Sequence, residues 1–134
     1  MVKTKDFILR SMLICDVARK ELGGKDILIG VYSGSMLSKD VPFSMPSFAV
    51  WLEVRPLKKS YKSVALEIIT PKEETLIAAN GQVVLLDNSE FSGIPFQFGS
   101  FMFPMEGIYK VKFGFDGKLE EVGNFKISKG EHPV

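Results

Sequence analysis

Apolar and polar residues alternate along most of the chain. Over residues 48–55, Phe48, Val50, Leu52 and Val54 fall on one side of an extended segment, while Ala49, Trp51, Glu53 and Arg55 fall on the other. A period of two is the signature of a strand half buried against a core. The pattern repeats over residues 62–70, with Val64, Leu66 and Ile68 on one face and Ala65 and Glu67 on the other. Pro56 and Pro71 close these two segments, because a ring nitrogen has no hydrogen to give to a ladder.

The C-terminal third predicts a hairpin. Residues 107–115 alternate, with Tyr109, Val111, Phe113 and Phe115 on one side. Asp116-Gly117 then supplies two positions that tolerate positive φ, and residues 118–127 return as the last strand. Residues 128–134 carry no apolar pattern and read as a frayed tail. Near the other end, Gly23-Gly24-Lys25 lies between segments 8–21 and 26–33, which predicts an antiparallel pair joined by a glycine turn. Residues 8–21 are read as strand, although Met12, Cys15, Arg19 and Leu22 also fit a helical spacing. Segments 75–79, 82–86 and 95–103 are further strand candidates.

Seven to nine short strands separated by turn residues predict an all-β fold, a two-sheet antiparallel sandwich, in one domain spanning residues 1–134. The stretch Gly107-Ile108-Tyr109-Lys110-Val111 resembles the penultimate strand of immunoglobulin-like sandwiches. That resemblance implies a tyrosine hydroxyl tied to corner backbone, a structural role for Tyr109.

Composition narrows the function classes. A chain of 134 residues with 46% apolar and 25% charged residues has an ordinary globular balance. Seventeen basic against sixteen acidic side chains leave a formal charge of +1, too small a field to recruit nucleic acid or an anionic membrane. The run Lys58-Lys59-Ser60-Tyr61-Lys62 reads as a solvated loop. One cysteine, Cys15, cannot form an internal disulfide, which points to a reducing compartment and to the cytoplasm. Arg10 interrupts the N-terminal apolar stretch and Ile14 precedes Cys15 where a processed lipoprotein needs a small residue, so no export signal is read there.

The string from Leu13 to Gly34 contains Cys15-Asp16, Arg19 with Glu21, Gly23-Gly24-Lys25 and Ile29-Gly30-Val31-Tyr32. On these residues the chain resembles the opening of a family of small bacterial proteins catalogued as a domain of unknown function. The resemblance implies a bacterial origin and supports the fold, and it carries over no catalytic or binding residue.

Chemistry offers few footholds. The one histidine, His132, is the third residue from the C-terminal end, which disfavours triad catalysis and histidine metal sites. No cofactor or metal is expected, and Cys15 reads as an inert core thiol. Asp16, Glu21 and Asp26 flank one predicted hairpin, where paired acid–base work competes with plain salt bridges. Trp51 is read either as a surface residue or as covered on a strand with both faces buried.

Two proline-bounded segments stand out, Val41-Pro42-Phe43-Ser44-Met45-Pro46 and Phe101-Met102-Phe103-Pro104-Met105. Phe43, Met45, Phe101, Phe103 and Met105 are candidate interaction residues, with core packing as the competing reading. The expected function is a non-enzymatic binding or assembly module that presents these segments or an open sheet edge to a protein partner, a second copy included. The alternative is a small-molecule binder with a pocket near Asp16 and Arg19, whose charges would orient a polar ligand.

Overall fold

The computed structural model describes residues 1–82 and 87–130, and these contain strands and no helix. The strands are β1 (Val2–Lys3), β2 (Phe7–Cys15), β3 (Val17–Lys20), β4 (Asp26–Ile29), β5 (Met36–Ser38), β6 (Phe43–Met45), β7 (Phe48–Pro56), β8 (Ser63–Ile69), β9 (Thr75–Gln82), β10 (Ser92–Phe98), β11 (Phe101–Phe103), β12 (Gly107–Phe115) and β13 (Lys118–Lys129). They exceed the expected seven to nine because several have only two to four residues.

The all-β expectation holds, and among the described residues the strands fall into four sheets, two of them large. A four-stranded sheet runs β1-β2-β7-β10 and a five-stranded sheet runs β5-β13-β12-β8-β9, while β3-β4 and β11-β6 form two-stranded ribbons. One pair is not antiparallel: β5 runs parallel to the end of β13, with Met36 opposite Ile127 and Ser38 opposite Lys129. This corrects the tail boundary. Ser128 and Lys129 belong to β13, and the Gly130 N–H donates to the Ser38 carbonyl at 2.8 Å. His132 and most of the candidate strand 82–86 lie outside the described residues, and the candidate strand 75–79 extends to Gln82 as β9.

The two principal sheets contribute to one core. Phe7, Leu9, Phe48, Val50, Leu52 and Val54 of the first cluster with Val64, Leu66, Ile68, Tyr109, Val111, Phe113 and Phe115 of the second, all of them buried. The alternation of residues 48–55 is therefore real, and so is the Asp116-Gly117 turn, where φ reaches 52° and 80°. Asp116 also accepts from the N–H groups of Lys62 and Ser63, at 2.8 and 3.0 Å. Those two bonds hold its carboxyl below the usual carboxylate range.

Residues 8–21 are strand, but they do not form one hairpin with 26–33. The chain breaks at Asp16: β2 pairs with β7, and the short β3 turns through Gly23 and Gly24 to pair with β4. Both glycines sit at positive φ, 88° and 85°. A single strand-forming segment thus serves two sheets.

Three tyrosines stitch loops to strands. The Tyr109 hydroxyl donates to the Met105 carbonyl at 2.7 Å, which is the corner contact its sequence context implies. Tyr61 stacks on Phe115 and donates to the Asp6 carbonyl at 2.8 Å, so the lysine-rich loop is pinned at its tyrosine. Tyr32 donates to the Asp16 carboxylate at 3.1 Å. Burial raises the pKa of Tyr32 to about 12, helped by the Asp16 charge and by that hydrogen bond. Tyr61 is pushed up to about 12 as well, by burial first and then by Asp6.

Two predictions follow from this packing. Phe103→Ala should lower the unfolding free energy by about 3–5 kcal/mol in a urea titration, because the ring is fully buried among other aromatic rings. A loss below about 1 kcal/mol would show that this position is not core. The raised tyrosines set a pH dependence. Unfolded tyrosine ionises near pH ~10, so above that value the unfolded chain releases protons that the folded chain keeps. Stability present below about pH 10 should therefore decline as pH rises toward 12. An absorbance titration of the native protein with all tyrosinate appearing near pH ~10 would contradict it.

Candidate functional site

Strand pairing leaves backbone donors and acceptors free at every sheet edge, and proteins blunt such edges with short strands, charges, prolines or bulges. Most edges here are blunted. β1 has two residues and β5 has three. β2 bulges at Arg10 against β7, and its other flank is bridged at Ile14 by Tyr32. The free flank of β13 presents Lys118, Glu120, Glu121 and Lys126, with a bulge opposite Val111 and Lys112. β10 carries Pro95 at its centre.

β9 differs. Its eight residues, Thr-Leu-Ile-Ala-Ala-Asn-Gly-Gln, include no charge and no proline. One flank pairs with β8, and among the described residues it ends the five-stranded sheet on the other. The register shift between Ile68 and Ile69 lies at its Thr75 end, so residues 77–82 are regularly paired.

Beside this edge the two principal sheets gape. A cleft of about 500 Å³ is lined by Val64 of β8, by Ala79, Asn80, Gly81 and Gln82 of β9, by residues 93–98 of β10, and by Lys20 of β3. Its size is that of an ordinary ligand site. Register fixes what faces inward. Gly81, Ala79 and Ile77 lie opposite Val64, Leu66 and Ile68, whose side chains are in the core. From β10, Ile94, Phe96 and Phe98 pack on the core and remain half-buried. The cleft floor is thus the unfinished side of the core.

The β3-β4 ribbon overhangs this region. Cys15, Ala18 and Ala49 form a second small buried cluster, with Leu28 and Trp51 packed on it. Trp51 is therefore covered, and this end of β7 is buried on both faces. Gly93 leaves room beneath the ribbon, since a Cβ there would run into the Asp26 carboxylate and Trp51 Nε1. Gln97 fastens the ribbon to β10. Its Oε1 accepts from the Ala18 N–H at 2.9 Å, and its Nε2 donates to the Asp16 carbonyl at 3.1 Å. Lys20 Nζ, at the cleft mouth, donates to the Asp26 carboxylate at 3.0 Å.

The sequence-derived candidates fall elsewhere. Met45, Phe101 and Phe103 are buried, because β6 pairs with β11 and sets Phe101 opposite Met45 and Phe103 opposite Phe43. The proline-bounded segments are short strands that close the core, which is the competing reading of their Phe and Met content. Phe43 and Met105 are half-buried against the same cluster, and the exposed apolar residue of this ribbon is Met102.

Asp16 and Arg19 are engaged separately. Asp16 accepts from Tyr32, whereas Arg19 pairs with Glu21 at 3.1 Å. With Asp26 held by Lys20, the three carboxylates of the ribbon each have their own partner. The Cys15 thiol is fully buried and its pKa is raised by burial and by the Asp16 charge, so it is a poor nucleophile. Among the described residues, no group of three or more His, Cys, Asp or Glu is placed to hold a metal ion, and no helix is long and apolar enough to cross a membrane.

Sequence reasoning missed the cleft. The signal available was the uncharged run 75–82 ending in small residues, which reads as an ordinary strand until its neighbours are known.

No curated protein matches the chain. The model of a family described as of unknown function, DUF6941, matches residues 10–128 of the 134. The match extends far beyond the stretch 13–34 that first suggested such a family, and the chain belongs to this family of unknown function.

Proposed function

We propose that this protein is a non-catalytic binding module that accepts an extended segment of another protein chain along the free edge of β9. The observation that carries the reading is the contrast among edges: β9 is long, uncharged and free of proline, while the other edges of the principal sheets are blunted. Strand addition draws its affinity from main-chain hydrogen bonds and its selectivity from pockets beside the edge. Both elements are at hand, the free edge and the cleft flanking it.

The scaffold suits such a role. We read the two principal sheets as the faces of one immunoglobulin-like sandwich in a single domain, a reading supported by their common core and by the Tyr109 corner. The unpaired Cys15 supports a reducing, cytoplasmic setting. The formal charge of +1 favours a protein partner over nucleic acid or a membrane surface. A second copy of the chain could use the same edge, and β9 against β9 would then make a two-fold continuous sheet.

A library of short random peptides selected on the purified protein tests the proposal. Enriched peptides should bind as strands. When synthesised with N-methyl groups on alternate residues, one methylation phase should abolish binding and the other should leave it nearly intact, since a strand turns alternate N–H groups toward its neighbour. Equal tolerance of both phases, or no enriched peptide, would sink the reading. Should light scattering show that the protein self-associates through β9, an enriched peptide should dissociate the copies.

A further inference from the structure

Two glycines near β9 and β10 have opposite reasons to be small. At Gly93 the side chains of Asp26 and Trp51 occupy the space a Cβ would need. At Gly81 no such constraint exists. A Cβ there would meet only Val64 Cγ2 at 3.5 Å, an ordinary contact, and Gly81 is absent from the glycines held at positive φ. Glycine weakens a strand, so its presence without steric or conformational need calls for another cause.

The core-facing positions of β9 supply one. They run Ile77, Ala79, Gly81, shrinking step by step toward the end of the strand where the cleft lies. Opposite them Phe96 and Ile94 of β10 stay half-buried, although an interior at normal density would cover them. Larger residues at 79 and 81 would cover these side chains and complete the core. The charge pattern of the lining is equally specific. Among the described residues its one ionisable side chain is Lys20, and that ammonium is already held by the Asp26 carboxylate. A charged group entering the cleft would lose water and gain no counter-ion.

We infer that the cleft is a side-chain pocket which Ala79 and Gly81 keep open, and that the segment added along β9 is uncharged where it crosses them and delivers bulky apolar or aromatic side chains into it. This inference rests on the strand-addition reading and adds the chemistry of the partner. Alternate residues of an added strand point to one face, so the pocket selects at every second position of the incoming segment. Two such side chains would cover Phe96 and Ile94 as Gly81 and Ala79 do not.

The random peptide library also tests this, with Gly81→Val and Ala79→Leu as variants that fill the pocket and leave the backbone edge in place. Peptides enriched on the wild type should carry bulky apolar residues at alternate positions and no charge between them. Both variants should weaken those peptides on the order of tenfold or more and should melt at or above the wild-type Tm, as expected when an unfilled site is packed. Peptides with glycine or alanine at the selected positions should retain their binding to the variants.

The outcomes separate the two readings. If N-methylation shows strand addition but both variants bind the same peptides as tightly as the wild type, the pocket inference fails and strand addition stands. If neither methylation phase matters, strand addition itself fails. Enrichment of charged or proline-rich peptides overturns the pocket chemistry. So does a case in which no peptide is enriched while a small apolar dye binds the wild type and is excluded by Gly81→Val, which would assign the cleft to a free small molecule. A fall in Tm for both variants would show that the cleft has no room for a side chain.

Discussion

The ring of Phe103 is in contact with five others, those of Phe43, Phe48, Phe101, Tyr109 and Phe125, with centroids 4.7 to 5.9 Å away. Phe48 belongs to the four-stranded sheet, Tyr109 and Phe125 to the five-stranded sheet, and Phe43 and Phe101 to the ribbon that closes the end between them. Most of these pairs are edge-on, the arrangement in which the positive ring edge meets a negative face. The registers of three sheets are therefore locked at one residue. A one-residue slip in β12 would turn Tyr109 out of this cluster and break its hydroxyl bond to Met105 as well.

That dependence explains where the sequence was legible. Strands with one buried face, such as β7, β8 and β12, announce themselves by period two, and Asp116-Gly117 announces the hairpin by its tolerance of positive φ. The end ribbon does not. Three-residue strands are too short to show a period, so Phe43, Met45, Phe101 and Phe103 read equally as core and as contact surface until β6 and β11 are seen to pair. The break at Asp16 was hidden for a related reason. Apolar residues run unbroken from Met12 to Cys15 and resume at Val17, so only Asp16 and its bond to Tyr32 mark the change of partner.

The candidate site was less legible still. A strand edge is a property of topology, and nothing within residues 75–82 says whether a second neighbour is present. Asp16 and Arg19 attracted attention because charge is easy to see in a sequence, yet both carry out local duties in the ribbon. Their real consequence is indirect. By fixing the ribbon over Trp51 and Ala49, the contacts of Asp16 and Gln97 place Lys20 at the rim of the cleft, where its charge is spent on Asp26.

A cleft beside an unguarded edge works against both stability and solubility. An interior that stops at Ala79 and Gly81 forgoes apolar burial worth roughly 25 cal/mol per Å², and an uncharged edge invites uncontrolled pairing. The same chain blunts the other edges of its principal sheets and buries Phe103, Tyr109, Phe113 and Phe115 completely, so poor packing is not a general habit of this fold. The two departures also lie side by side, on the same strand and over the same four residues. Their coincidence is the physical ground for treating β9 as a receiving surface: a single incoming strand would satisfy the free backbone groups and cover Ile94 and Phe96 together.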